Sequence, residues 1–267
     1  MSAARVQKAL LREAVSDAVR RRIVPAVAVV SLISLLAVDS CTSCASNAVV
    51  QSGDTVLDTD LAGWTGLIAF VVLGLWTMVL AGILASDHLA ETLRDGSAVL
   101  SLSRPVSRSQ FAWGRLGGVL VVSWGTGLVL LVGTAWLLHV RSDVALGPAL
   151  WAGLACLGGC LVTASLAMAA SLYLTRIATA LAVLVFVAMI GSANAAEIFG
   201  AGTGALSFVL NRFAPPLGTS MALALTPWTN TEVSAAFPTA TALRLVLWCA
   251  VSPGLLALAF RRYELDN

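Results

Sequence analysis

The sequence predicts an all-α integral membrane protein with six transmembrane helices, and three observations carry that prediction. The 267 residues are 58% hydrophobic and 11% charged, against roughly 25% charged residues in soluble domains, and the mean hydropathy is +0.90. Six mostly apolar stretches approach the ~20 residues that a helix needs to cross a hydrocarbon core about 30 Å thick. The basic residues then fall on one side. With the N-terminus in the cytoplasm, thirteen of the sixteen Lys and Arg residues lie inside and only Arg141, Arg212 and Arg244 lie outside, as the positive-inside rule requires. An even number of spans places both termini in the cytoplasm. The formal net charge of +2 excludes a strongly basic nucleic-acid binder.

The elements follow in order. Over residues 1–22, Val6, Leu10, Leu11, Ala14, Val15, Ala18 and Val19 recur at helical spacing, while Arg5, Lys8, Arg12, Glu13 and Asp17 fill other faces. This pattern predicts an amphipathic helix lying in the cytoplasmic interface. The first span, Ile23–Val38, is short, and Arg21 and Arg22 at its start can snorkel to extend its reach. It reads as a retained span, because no small-residue cleavage site and soluble domain follow it. The polar, acidic outer loop Asp39–Asp60 is too short for a catalytic domain. Further spans are expected at Leu61–Ser86, Leu116–His139, Gly147–Leu174, Ile177–Asn194 and Thr241–Phe260. The outer region 195–240 is rich in Gly, Pro and small residues, and its apolar pieces Ala205–Leu210 and Leu217–Leu225 are too short to cross. Such pieces predict re-entrant or interfacial helices before the last span; the competing reading is an extra pair of short spans.

The cytoplasmic loop 87–115 carries the most information. Charged residues including Glu91, Arg94 and Asp95 lead to Gly96-Ser97, then an apolar stretch with Leu100 and Leu102, then Ser103-Arg104-Pro105-Val106-Ser107-Arg108. Pro105 ends a helix and redirects the chain. Apolar side chains on a cytoplasmic loop need a protein partner or a membrane surface to cover them, so the loop reads as a docking element. On charge alone, Arg104 and Arg108 are positive-inside residues that fix topology.

The run Leu93-Arg94-Asp95-Gly96-Ser97 followed by Leu102-Ser103-Arg104-Pro105-Val106-Ser107-Arg108 resembles the signature between spans two and three of ABC-2-type permeases. Within that family, the chain is most similar to the group that includes the permease of the nitrous-oxide-reductase maturation exporter. Ser97 stands where many relatives have Thr, and Thr92 stands where many have an acidic residue, with Glu91 one place earlier. The resemblance implies a type V exporter-like permease in a bacterial inner membrane, working as a homodimer with a separate ATP-binding cassette ATPase. It also implies that Glu91, Arg94, Asp95, Gly96, Leu100, Leu102, Arg104, Pro105 and Arg108 couple the two proteins. No G-x-x-x-x-G-K-[ST] pattern occurs in the sequence, so ATP and Mg are expected on the partner chain, with no cofactor on this one.

Cys41 and Cys44 form a C-x-x-C pair at the outer end of the first span, open to three readings: a disulfide, free thiols or metal handling. Cys156 and Cys160, at i and i+4 among small residues, read as a helix-packing face. His88 and His139 sit at span ends and read as interfacial. Candidate pathway residues are Ser31, Ser34, Thr65 and Thr77 within the spans, and Asn194 and Glu197 near the outer end of the fifth. Glu197 is read either as a functional intramembrane carboxylate or as an outer headgroup residue. These mild groups, with Thr179, suit a lipid, peptide or other amphiphile better than an ion or sugar phosphate. Two other classes compete with transport. An intramembrane protease needs a Ser and a His at membrane depth, and a phosphotransferase needs clustered carboxylates for metal; the spans supply neither. A nonenzymatic membrane anchor or assembly subunit remains the alternative.

Overall fold

A computed structural model describes the backbone of residues 55–94, 108–198, 205–229 and 238–262, together with Ser16, Val29, Leu32, Ile33, Leu36 and Ser40. Side chains are described from 63 to 86, from 110 to 196 apart from 142, and from 205 to 262 apart from 206–207 and 230–238, as well as at those six isolated positions. Every regular element among the described residues is helical. In chain order they are α1 (Thr55–Arg94), α2 (Arg108–Ser142), α3 (Leu146–Ser171), α4 (Arg176–Ile198), α5 (Ala205–Phe213), α6 (Leu217–Ala224), a single 3-10 turn (Thr226–Trp228) and α7 (Pro238–Arg262).

Five of these helices are long and apolar enough to cross a membrane: Gly63–Ser86, Gln110–Arg141, Leu146–Ser171, Arg176–Ala196 and Thr239–Arg262. They coincide with the second to sixth spans expected from the sequence. The first span and the interfacial helix over 1–22 lie outside the described residues, except that Ser16, Val29, Leu32, Ile33, Leu36 and Ser40 are helical and exposed. The chain is thus a multi-pass membrane protein whose described elements are all helical. The distribution of polarity agrees. Val72, Val129, Trp136, Leu150, Trp151, Ile177 and Val246 are exposed, whereas Thr77, Ser123, Thr134, Thr163, Ser165 and Asn194 are buried. In water such apolar exposure would be an aggregation liability; facing hydrocarbon it costs nothing.

Three helix boundaries differ from expectation, each for a local reason. Helix α1 starts at Thr55, inside the acidic loop expected over Asp39–Asp60; Asp58 and Asp60 fall in its first turns, where the helix dipole favours negative charge. The same helix runs eight residues past Ser86 to Arg94, since Leu89, Ala90, Glu91 and Leu93 are good helix formers and no Gly or Pro intervenes before Gly96. Helix α2 starts at Arg108 rather than Leu116. Arg115 does not mark the end of the span. It is buried, with its guanidinium 5.4 Å from the centre of the Phe111 ring, a cation–π arrangement that holds its charge inside the bundle.

Helix α3 packs against α1, α2, α6 and α7, and small residues let its neighbours approach. Toward α1, the Thr163 hydroxyl donates to the Met78 carbonyl at 3.2 Å and the Cys156 thiol to the Gly74 carbonyl at 3.7 Å. Toward α7, a Cβ on Gly158 would lie 3.2 Å from the Cys249 sulfur. Cys156 and Cys160 are both buried and free, serving the packing role expected of them. From α2, Trp124 Nε1 donates to the Leu157 carbonyl at 3.1 Å. The turn from α2 to α3 closes through Asp143, whose φ of 51° is left-handed. Its amide donates to the His139 carbonyl at 3.0 Å, and His139 Nδ1 donates to the Val144 carbonyl at 2.9 Å. His139 is therefore a turn-closing residue at the span end.

Candidate functional site

The segment expected to be re-entrant contains two helices too short to cross, α5 with nine residues and α6 with eight. Pro215 and Pro216 separate them, and both are buried. Pro216 cannot donate a backbone hydrogen bond, so the helix cannot continue through this point. Two half-helices result.

Their contacts fix their depth. Trp228, just past α6, lies against Gly63, at one end of the Gly63–Ser86 span. Its Nε1 donates to the Ala145 carbonyl at 2.9 Å, and its ring meets Phe70 edge-on at 5.8 Å. Met221, in α6, lies against Gly74 in the middle of that span, and Leu217 lies 3.4 Å from where a Cβ on Gly159 would sit, in the middle of α3. Gly63 and Gly74 are separated by about 16 Å along a helix, half of a ~30 Å hydrocarbon core. The hairpin reaches the middle of the bundle and returns to the same end. That end also carries the α2–α3 turn, and is opposite the end where α1 leads toward α2.

A break at this depth exposes amides at the start of α6 and carbonyls at the end of α5, each costly to leave unpaired away from water. The side chains of α4 and α7 fill them. Asn194 of α4 is buried, and its Oδ1 accepts from the Gly218 amide at 2.9 Å and the Thr219 amide at 3.1 Å. Its Nδ2 donates to Asn211 Oδ1 at 3.1 Å, and Asn211 Nδ2 donates to the Ala193 carbonyl at 3.2 Å. On the other side, Arg244 of α7 donates to the Asn211 carbonyl and Trp248 Nε1 donates to the Phe213 carbonyl at 3.2 Å. The cation stands where the partial negative charge of the α5 C-terminus favours it. Trp248 lies nine residues into the last span, roughly 14 Å from its start.

Of the candidate pathway residues whose side chains are described, only Asn194 lies in this junction. Thr77 is buried, its hydroxyl donating to the Leu73 carbonyl at 2.8 Å in its own helix and its methyl packed on Gly127. Thr65 is half-buried on α1. Glu197 lies in the last turn of α4 with its side chain outside the described residues, as are Ser31, Ser34, Cys41 and Cys44 altogether. Of the coupling candidates, Glu91, Arg94 and Arg108 have described backbone at the facing ends of α1 and α2, while Asp95, Gly96, Leu100, Leu102, Arg104 and Pro105 lie outside the described residues. Sequence reasoning misses Asn211, Arg244 and Trp248. The signal available for them is a Pro-Pro pair between two short apolar runs, flanked by asparagines.

No group of three or more His, Cys, Asp or Glu side chains comes together among the described residues. Among the described residues, the junction joins backbone ends and presents no nucleophile beside a base. No protein-family model matches the chain, and no curated protein matches it.

Proposed function

We propose that this chain is the membrane-spanning subunit of an ATP-driven exporter of the ABC-2 permease type, paired with a second copy of itself and coupled to a separate ATPase. The observation that carries the reading is the segment Leu93-Arg94-Asp95-Gly96-Ser97 through Leu102-Ser103-Arg104-Pro105-Val106-Ser107-Arg108 joining α1 to α2, in a bundle whose opposite end holds a broken helix pair. Half-helices whose ends meet near the midplane recur in transporters, where those ends form substrate and ion sites. ATP-driven closure of the partner must pass through a cytoplasmic contact stiff enough to move helices as bodies. The turn between α3 and α4 is only four residues long, which leaves the α1–α2 connection as the route between these spans. Leu100 and Leu102 fill an apolar cleft on the ATPase, and Arg104 and Arg108 pair with acids at its rim.

The test is copurification. An ATPase encoded beside this chain should copurify with it and hydrolyse ATP in a manner that depends on it. Leu100→Asp abolishes the complex, since central anchors are worth about 2 kcal/mol or more, while Arg104→Ala, a rim charge worth about 1 kcal/mol or less, leaves it assembled with weaker coupling. Unaltered copurification and transport in Leu100→Asp would overturn the docking surface. The alternative, a nonenzymatic membrane anchor, predicts a partner complex without nucleotide-driven transport.

A further inference from the structure

The last span is divided by its own sequence. Pro253 lies inside α7 and is followed by Gly254, where an added Cβ would meet nothing within 4 Å from any other described element. Lacking an N–H, Pro253 cannot serve the Cys249 carbonyl one turn earlier, and its ring crowds that carbonyl. Pro kinks in membrane helices are commonly relieved by a neighbouring Ser or Thr. Here Ser252 is fully buried and its Oγ has no hydrogen-bond partner among the described residues, so none of them supplies that relief.

The two halves are held by different parts of the bundle. Above the break, Arg244 and Trp248 hold the end of α5, and the Cys249 thiol donates to the Gly158 carbonyl of α3 at 3.6 Å. Below it, Phe260 stacks on Phe111 of α2 with ring centres 6.3 Å apart and planes 23° from parallel. Between them lie a missing hydrogen bond, a residue without a side chain and an unsatisfied hydroxyl.

We propose that Pro253-Gly254 is a hinge in the last span, about which the upper half of α7 moves together with the broken helix pair while the lower half stays with α2. The inference concerns the mechanics of this chain and does not rest on its being a transporter. Because the upper half is bonded to α5, and α5 through Asn211 to Asn194 of α4, the hinge carries the junction with its internal hydrogen bonds intact, and the displacement is taken up at the contacts that tie it to its neighbours, Cys249 to Gly158 and Trp228 to Ala145. A hinge within a helix converts a small local freedom into a rigid-body displacement.

Spin labels introduced as noncanonical amino acids, leaving the native cysteines in place, test this in the full-length protein in lipid nanodiscs. Leu243 and Leu258 are exposed on either side of the break, about 22 Å apart along a helix, and Leu243 and Val251 lie on the same side. Pulsed dipolar spectroscopy should give a 243–258 distance distribution at least twice as wide as that of 243–251. Pro253→Ala should narrow it to the 243–251 width without changing the control pair. Equal widths for the two pairs in the unmutated protein would overturn the hinge, a result that needs no variant to fold. An unchanged 243–258 width in Pro253→Ala would overturn it as well.

Discussion

Replacing Asn194 by Ala removes one buried amide that serves three hydrogen bonds, to the Gly218 and Thr219 amides and to Asn211 Oδ1. At about 1 kcal/mol net per bond the loss comes to about 3 kcal/mol; at the ~0.6 kcal/mol typical of hydrogen bonds between helices in membranes it comes to about 2 kcal/mol. Asn194→Ala should therefore destabilise the protein by about 2–3 kcal/mol. Asn194→Asp retains the oxygen that caps α6 but sets a second oxygen against the acceptor Asn211 Oδ1 at a buried site, so it should cost at least as much as the Ala variant. Asn211→Ala loses the shared bond and the one to the Ala193 carbonyl, roughly 1–2 kcal/mol. The double Ala variant should fall short of the sum by about 1 kcal/mol, because the Asn194–Asn211 bond is broken only once. Equilibrium unfolding in mixed SDS micelles, followed by tryptophan fluorescence, measures all four. Ser192→Ala is the control: Ser192 is exposed and its hydroxyl bonds only to its own helix, at the Met189 carbonyl. If Asn194→Ala lies within about 0.5 kcal/mol of that control, or the double variant is strictly additive, the junction does not anchor the hairpin.

Five further outcomes follow from other parts of the molecule. A methyl on Gly63 would overlap the Trp228 backbone carbonyl, so Gly63→Ala should cost about 1–3 kcal/mol in the same assay. Gly153, where an added Cβ meets nothing within 4 Å, should gain about 0.5–1 kcal/mol on substitution by Ala. Trp228→Phe keeps the ring against Phe70 but loses the bond to the Ala145 carbonyl, and should lower stability by about 1 kcal/mol. If Cys41 and Cys44 form a disulfide, the denatured, unreduced protein takes up alkylating reagent only at Cys156, Cys160 and Cys249, and mass spectrometry showing label on Cys41 and Cys44 would exclude it. In intact cells an impermeant thiol reagent should label a cysteine at Ser142 and not one at Ser101; labelling at Ser101 would end the assigned orientation.

Five spans are legible because a helix that is apolar on every face for about 20 residues matches the thickness of a bilayer and suits little else. Their ends are less so, since charge is a poor boundary marker: Arg115 is buried beside Phe111, and residues 87–94 continue a helix whatever solvent surrounds them. The short pieces over 205–225 are legible as too brief to cross, and Pro215-Pro216 marks the break. The partners at that break are not. Asn194 and Asn211 are 17 residues apart, and Arg244 is 33 residues beyond Asn211; no local periodicity links them, and Arg244 counts in the sequence only as a charge outside the membrane. The ATPase partner is proposed from a sequence motif alone, whose middle portion lies outside the described residues.

The order of the chain gives the hairpin a particular history during synthesis. The side chains that complete the α5 carbonyls arrive 33 and 35 residues later, on the final span. At about 5–20 residues per second the ribosome needs roughly 2–7 s to supply them, and α7 must then insert. Until it does, the freshly made hairpin carries unmet carbonyls that hydrocarbon cannot solvate. Water, the translocation machinery or a chaperone must hold that half-helix meanwhile. A chain that ends before α7 never acquires Arg244 or Trp248, and its α5 carbonyls stay unmet.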